Sequence, residues 1–281
     1  SKEVRLAMKV DKLRTVIIYI IIILLGLVCL LPLLNIVAIS FSSSAAVEGN
    51  MVGLIPVGFS TAAYKKILED SQFWHSFLIS VERVVLALII NFVLIVLMAY
   101  PLSKTNAQFR GRNIYANLMI FAMLFNGGMI PTFLVVKSYG LLNTVWALVL
   151  PGAVPIFNVI LVMNFFAAVP KELEEAAFID GANPLQVLTK IFIPISKPVL
   201  ATVSLFSIVG SWNDFYSGLI YMSKAAYYPL MTYIQSLQIN VEDLIKQGNL
   251  SAVVDSASLG NTNLNAAKIV IAVIPLLLIY R

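Results

Sequence analysis

The fold class of this chain is decided by residues 16–39, which read VIIYIIIILLGLVCLLPLLNIVAI. This run of 24 residues holds no charged side chain. A helix needs about 20 mostly apolar residues to cross a hydrocarbon core roughly 30 Å thick. In lipid, a helix also lets a single segment satisfy all of its backbone hydrogen bonds. The run therefore predicts a membrane-spanning helix.

More apolar runs follow along the chain, and only the last is shorter than a full span. They lie at Val81–Ser103, Ile114–Val136, Thr144–Ala167, Val199–Met222 and Leu264–Tyr280. Charged residues make up 12% of the 281 positions, whereas soluble domains carry about a quarter. Lipid is therefore the solvent for most of the surface. The sequence predicts an all-α integral membrane protein, with six transmembrane helices in a single transmembrane domain over residues 1–281.

The basic residues give the expected orientation. Residues 1–14 carry five of them, Lys2, Arg5, Lys9, Lys12 and Arg14. Positive charge favours the cytoplasmic side, so this segment and, by alternation, both termini are expected in the cytoplasm. The net charge of +5 follows from such loops and does not indicate nucleic acid. A cleaved signal peptide is the alternative for the first run, but its length favours a retained helix.

Several classes of site are excluded by composition. With one cysteine, Cys29, and one histidine, His75, the chain can form neither an internal disulfide nor a His/Cys metal cluster. No glycine-rich ATP loop and no protease or esterase motif is present. We therefore expect no catalytic residues, no metal and no cofactor bound by this chain. A membrane-embedded enzyme and an ion-coupled secondary transporter are the rival classes.

The predicted inner loop, about residues 168–198, is the most informative connection. Its residues 170–194 read PKELEEAAFIDGANPLQVLTKIFIP. Pro170 suits a first helical position, and Gly181 can adopt the left-handed conformation that ends a helix. Asn183 followed by Pro184 is typical of a cap and the start of a second helix. The residues alone favour equally a docking knob and an amphipathic hairpin on the membrane surface.

A family resemblance separates these alternatives. Glu175-Ala176-Ala177, then Asp180-Gly181, then Ile191-x-Ile193-Pro194 resembles the EAA loop of ABC importer permeases, with Ile193 where the family has leucine. Residues 126–131, 140–144, 212–215 and 228–230 (NGGMIP, GLLNT, WNDF and YPL) are similar to the carbohydrate-uptake subfamily, especially its permeases for complex oligosaccharides. The resemblance extends over nearly the whole chain. The permeases of this subfamily continue after the sixth helix in a basic tail, and we expect this tail to be missing after Arg281.

The resemblance implies the fold of a type I ABC importer permease, multi-pass in the bacterial inner membrane. The inner loop would be a cytoplasmic coupling helix-turn-helix between the fourth and fifth spans. Its ATPase-coupling residues would be Glu175, Ala176, Ala177, Asp180 and Gly181.

The resemblance also implies the partners and the cargo. The partners would be a homologous second permease, two ABC ATPase subunits holding ATP and Mg, an external solute-binding protein and the lipid bilayer. The cargo would be a sugar or oligosaccharide, such as an alginate or pectin fragment. An importer of a non-sugar solute is the alternative within the family. The outer loop, about residues 223–263, would reach toward the binding protein.

Polar groups inside the spans are candidates for the substrate pathway, because they are costly in lipid unless used. We select Trp212, Asn213, Asp214, Tyr216 and Asn126, since aromatic faces cover sugar rings and amides pair with hydroxyls. Helix–helix hydrogen bonds are the alternative role for each asparagine. Breaks in the third and fourth helices are expected at Gly127, Gly128, Pro131, Pro151 and Pro155. Arg83 is expected near the outer interface, reaching toward headgroups.

Overall fold

The computed structural model describes residues 2–237 and 262–279, and side chains from residue 14 onward. The outer loop 223–263 therefore lies mostly outside the described residues. All regular elements within them are helical. In chain order the helices are Lys2–Ser40, Ser44–Glu48, Ala62–Glu69, Ser71–Leu102, Arg112–Leu124, Met129–Ser138, Val145–Val149, Ile156–Ala167, Lys171–Ile179, Pro184–Val187, Ile193–Ile195, Lys197–Asn213, Tyr216–Tyr221 and Thr262–Ile279, with residues 230–237 also helical. Leu150–Gly152 and Ala225–Tyr227 form 3₁₀ turns, and Leu188–Phe192 forms a π-helical turn.

Within the described residues, the helices long and apolar enough to span a membrane are either continuous or bent at a short break. Arg14–Ser40, Ser71–Leu102 and Thr262–Ile279 are continuous. Three further candidates are helix pairs bent at a short break, by 112°, 47° and 84°. These pairs are Arg112–Leu124 with Met129–Ser138, Val145–Gly152 with Ile156–Ala167, and Pro184–Ile195 with Lys197–Asn213. Counting each pair as one span gives up to six spans, in agreement with the sequence prediction.

The predicted breaks of the third and fourth helices are confirmed, except that Pro131 lies within the helix Met129–Ser138 and does not interrupt it. In the third run the chain leaves the helix after Leu124 and restarts at Met129, and Gly128 between them has a φ of +94°. A side chain at that φ would be strained, so glycine permits the sharp bend. In the fourth run the helix restarts after Pro155, whose ring cannot continue the preceding hydrogen-bond ladder.

The fifth run differs from the prediction. The sequence predicts one span, Val199–Met222. In the structure the helix Lys197–Asn213 ends at Asn213, and the short helix Tyr216–Tyr221 follows. Asp214 between them has extended backbone, and its carboxylate accepts a hydrogen bond from the N–H of Ser217 at 3.1 Å. This local bond competes with continuation of the long helix.

The chain divides into two compact units. Unit 1 comprises Ser1–Ser71 and Ser236–Arg281, and unit 2 comprises Gln72–Gln235. In unit 1 the first helix packs against the C-terminal helix Thr262–Ile279. Lys268 of that helix is 3% exposed and lies 2.8 Å from the carboxylate of Asp70. This buried lysine is thus paired within unit 1.

An extended apolar core of unit 2 reaches into the predicted inner loop. Its buried members come from the helix Ser71–Leu102, from the third, fourth and fifth runs and from the loop: Ile95, Val96, Ala99, Leu102, Met119, Val159, Val162, Phe166, Val169, Val187, Leu188, Phe192, Val199, Leu200 and Val203. The loop therefore packs as part of the body of unit 2. An amphipathic hairpin resting separately on a membrane surface would not share this core.

Replacing Gly218 by alanine should destabilise unit 2. A Cβ there would lie 2.1 Å from Thr232 Oγ1, and Thr232 is fully buried. Overpacking of this kind costs about 1–3 kcal/mol. Thermal unfolding in detergent should show a lower Tm for G218A. The matched control is G210A, where a Cβ meets nothing within 4 Å; equal Tm values for the two variants would contradict the packing described.

Candidate functional site

The inner loop folds as two helices joined by a sharp turn, and we call residues 170–195 the hairpin. Its first helix, Lys171–Ile179, carries Glu172 and Glu174 in its first turn, where they complement the helix dipole. Pro170 lies one position before this helix and not at its first position. The turn contains Gly181 at a φ of +82°, as predicted.

The second helix of the hairpin begins as the sequence predicts. Asn183 Oδ1 accepts from the N–H of Gln186, and Gln186 Oε1 accepts from the N–H of Asn183, both at 2.9 Å. This reciprocal capping box, with Pro184 at the first helical position, fixes where the chain re-enters a helix. The second helix of the hairpin therefore begins directly after the turn, with the backbone N–H of Asn183 and of Gln186 both satisfied.

The predicted coupling residues lie on the outer face of the hairpin. Glu175, Ala176, Asp180 and Gly181 are exposed, while Ala177 is half-buried against the core of unit 2. Glu174, directly before them, is buried at 8% exposure. The hairpin thus presents small and acidic groups outward from a packed base, which is the geometry of a docking knob.

A second candidate site is a polar cavity of about 280 Å³ inside unit 2. It lies where the fourth and fifth runs break, and its polar lining includes Arg83, Asn91, Asn158, Ser207, Asp214 and Ser217. Helix breaks around a polar cavity are typical of the substrate region in transporters.

Arg83 is the charged centre of this cavity, so the expected reach of its side chain toward headgroups was wrong. The side chain is 4% exposed and forms an ion pair with the carboxylate of Asp214. Its guanidinium also donates to the backbone carbonyls of Asp214, at 2.8 Å, and Leu148, at 3.4 Å. A planar five-donor group suits this set of acceptors, and burial with its partner is less costly than burial alone.

Asn91 and Asn158 supply buried amides beside the ion pair, at 7% and 6% exposure. With its amide nitrogen toward the backbone, Asn91 donates to the carbonyls of Ala87 and Ala153, at 3.2 and 3.0 Å. It then accepts from Ser207 Oγ at 3.3 Å. Ala153 lies at the break of the fourth run, so Asn91 satisfies a carbonyl that the interrupted helix leaves free.

The predicted sugar-facing residues do not together line this cavity. Asp214 lines the cavity, but its carboxylate is engaged by Arg83 and Ser217. Trp212 is buried, with its ring edge-on to Phe77 at 5.7 Å. The other three are exposed: Asn126 accepts from Gly128 N–H, Tyr216 Oη contacts Met129 Sδ, and Asn213 is the last residue of its helix. Their role in the pathway stays a prediction.

Sequence reasoning missed Arg83, Asn91 and Ser207 as cavity residues. A signal for Arg83 was present, because an arginine inside an apolar helix faces a protein interior more often than lipid. Its partner, 131 positions later, left no local trace. Among the described residues, no group of three His, Cys, Asp or Glu side chains could hold a metal ion.

The comparison with protein families gives the decisive observation. Residues 5–280 match the model of the binding-protein-dependent transport system inner membrane component. The chain belongs to this family of ABC transporter permeases. The expected type I permease fold is thereby confirmed, and the chain is an inner-membrane permease component.

Individual relatives agree with the family. The chain is 40% identical over 255 residues to protein LplC of Bacillus subtilis, covering 91% of this chain and 85% of LplC. It is 38% identical over 270 residues to the polygalacturonan/rhamnogalacturonan transport system permease protein YtcP of the same organism, covering 96% and 93%.

A solved structure is also similar, that of a bacterial ABC transporter involved in the import of the acidic polysaccharide alginate. It matches with a TM-score of 0.84 and 32% identity, covering 96% of this chain and 95% of the other.

Removing Arg83 from this permease should destabilise it. R83Q leaves the half-buried Asp214 without its cation and two carbonyls without a donor, which we expect to cost about 2–3 kcal/mol. Chemical unfolding in detergent measures the loss. The matched control is E82Q, which neutralises the exposed neighbour of Arg83 and should stay within about 0.5 kcal/mol of wild type. Equal stability of R83Q and E82Q would show that the ion pair is unimportant.

Proposed function

We propose that this permease is one membrane-spanning half of an ATP-driven importer that carries an oligosaccharide into the cytoplasm. The observation that carries the proposal is the hairpin, which exposes Glu175, Ala176, Asp180 and Gly181 while its base lies in the core of unit 2. A surface of this kind can receive force from a partner and pass it to the membrane helices. A secondary transporter or a membrane enzyme would not need such a docking surface.

The assembly we propose has five protein chains besides its cargo. This chain pairs with a homologous second permease, because up to six spans make half a pathway. Two ABC ATPase subunits hold ATP and Mg, and each receives one coupling loop; the chain itself binds no cofactor. An external solute-binding protein delivers the sugar.

The topology we propose follows the sequence expectation. Residues 1–281 form a single transmembrane domain in the inner membrane, with residues 1–14 and both termini in the cytoplasm. The coupling loop, about residues 168–198, lies on the same side of the membrane.

The mechanism follows from rigid packing. Closure of the two ATPase subunits moves the two coupling loops together, and the permease halves rock as bodies between two packed states. The substrate must bind those states differently, or it could not shift their balance. The broken helices around the cavity of unit 2 are the place where polar backbone and side chains can meet sugar hydroxyls.

For the substrate we propose fragments of acidic polysaccharides, built from uronic acids. Relatives at 32–38% identity serve alginate and polygalacturonan or rhamnogalacturonan transport. In the cavity of unit 2, the charge of Arg83 is neutralised by Asp214. This half therefore offers amides and hydroxyls to sugar hydroxyls, and the carboxylates of the cargo are met by the second permease. Neutral sugars and non-sugar solutes are the alternatives.

Replacing Gly181 by valine should uncouple the hairpin from the ATPase. A β-branched residue is strained at a φ of +82°, by about 1–3 kcal/mol, so the turn must rearrange. We expect capture of the ATPase subunits by the purified permease pair to fall about tenfold, the equivalent of about 1.4 kcal/mol.

The matched control is G181N, because asparagine tolerates the left-handed conformation. G181N should capture the ATPase nearly as well as wild type, and E175Q combined with G181V should lose capture altogether. Undiminished capture of the ATPase by G181V, with the protein inserted and folded, would contradict the coupling role of the hairpin.

A further inference from the structure

One lysine joins separate parts of unit 2 at the base of the hairpin. Lys104 follows the end of the helix Ser71–Leu102, and its Nζ lies 2.7 Å from the carboxylate oxygens of Glu174 in the first hairpin helix. The same Nζ lies 4.1 Å from the ring centre of Tyr100 and 4.2 Å from that of Phe192. The Lys104 and Glu174 side chains are only 12% and 11% exposed. One ammonium group thus contacts the second span and both halves of the hairpin.

The aromatic rings around this lysine form a continuous packed unit. Phe192 meets Tyr100 edge-on at 5.1 Å and Phe166 edge-on at 5.4 Å. Phe166 lies one residue before the end of the helix Ile156–Ala167 and is 1% exposed. We call the rings of Tyr100, Phe166 and Phe192 the ring cage. The ring cage therefore also includes the end of the fourth run. Close-packed interiors of this kind shift as bodies and resist gradual deformation.

Glu174 and Glu175 are neighbours in the chain but point in different directions. Successive residues on a helix are rotated by about 100°, so the two carboxylates cannot serve the same partner. Glu174 is buried against Lys104, whereas Glu175 is exposed beside Ala176. The first hairpin helix thus has an outward face for a partner and an inward face bound to the membrane helices.

The surroundings separate this ion pair from an ordinary surface pair. Exposed pairs contribute little, because water competes for both charges. Burial lowers the pKa of Lys104 below its usual range, and the adjacent Glu174 carboxylate opposes that shift. If either partner is lost, the other is left as an uncompensated charge among aromatic rings.

We propose that Lys104 and Glu174 are positioning residues that transmit movement of the first hairpin helix to the helix Ser71–Leu102. The proposal rests on the proposed function, in which an ATPase subunit holds the outward face. When that face moves, Glu174 moves with it and carries Lys104, since the shielded pair and the ring cage hold the two helix ends together. Removing the pair should leave docking intact while the membrane helices no longer follow.

The test uses the assembled complex of both permeases with two ATPase subunits, in nanodiscs. In a C29S background, A153C places a reporter thiol at the break of the fourth run. The measured quantity is the change in its maleimide-labelling rate on addition of ATP and vanadate. We expect K104M and E174Q to reduce this change at least fivefold while ATPase capture stays within twofold of wild type.

Two variants control for charge and for packing. R110Q removes an exposed cation from the same connection and should retain the full ATP-dependent change. K104R keeps a cation that stacks on the rings, and it should recover at least half of the change.

Three results would overturn the inference. One is a wild-type response in K104M, and another is loss of ATPase capture by K104M, which would indicate a purely structural role. The third is the absence of capture or of any ATP-dependent change in the wild-type complex. That third result contradicts the proposed function itself, whereas the first two contradict only the transmission role.

Discussion

Backbone polar groups cannot be left unsatisfied in lipid, and the architecture of this permease depends on that constraint. Its first, second and last candidate spans are unbroken helices. The other runs are interrupted, and the breaks at Ala153 and Asp214 fall where side chains of unit 2 supply the missing hydrogen bonds. Asn91 serves the carbonyl of Ala153, and Arg83 serves those of Leu148 and Asp214. The polar cavity thus forms where these side chains satisfy the backbone groups of the broken helices.

A similar constraint applies to the buried charges of unit 2, which are costly unless they are paired. Arg83 lies in the first half of the helix Ser71–Leu102, whereas Lys104 follows the end of that helix, and each is paired with a carboxylate from a distant part of the chain. Arg83 fixes the break after Asn213, and Lys104 fixes the hairpin. The helix therefore carries a polar contact to the cavity in its first half, and the residue that contacts the hairpin directly follows its last turn. A helical segment of about 20 residues between two such contacts is suited to connect them.

Features set by neighbouring residues could be predicted from the sequence, and features set by distant residues could not. The cap at Asn183, the left-handed Gly181 and the breaks at Gly128 and Pro155 depend on a few adjacent residues, and all were found in place. The outward face of the hairpin was identified by motif. The side-chain partners Asp214 of Arg83, Ser207 of Asn91 and Glu174 of Lys104 lie 131, 116 and 70 positions away, and periodicity carries no information at that range. The break of the fifth run was missed for the same reason, because Arg83 helps to hold it open.

The most direct measurement of the central claim is uptake of labelled trigalacturonate into proteoliposomes. These contain the permease pair and two ATPase subunits, with the binding protein supplied outside and ATP enclosed within. We expect uptake that requires enclosed ATP, requires the binding protein and is unchanged when ion gradients are collapsed. Uptake driven by a proton or sodium gradient without ATP would contradict the account, and ATP-driven uptake of a neutral trisaccharide alone would contradict its assignment of an acidic cargo.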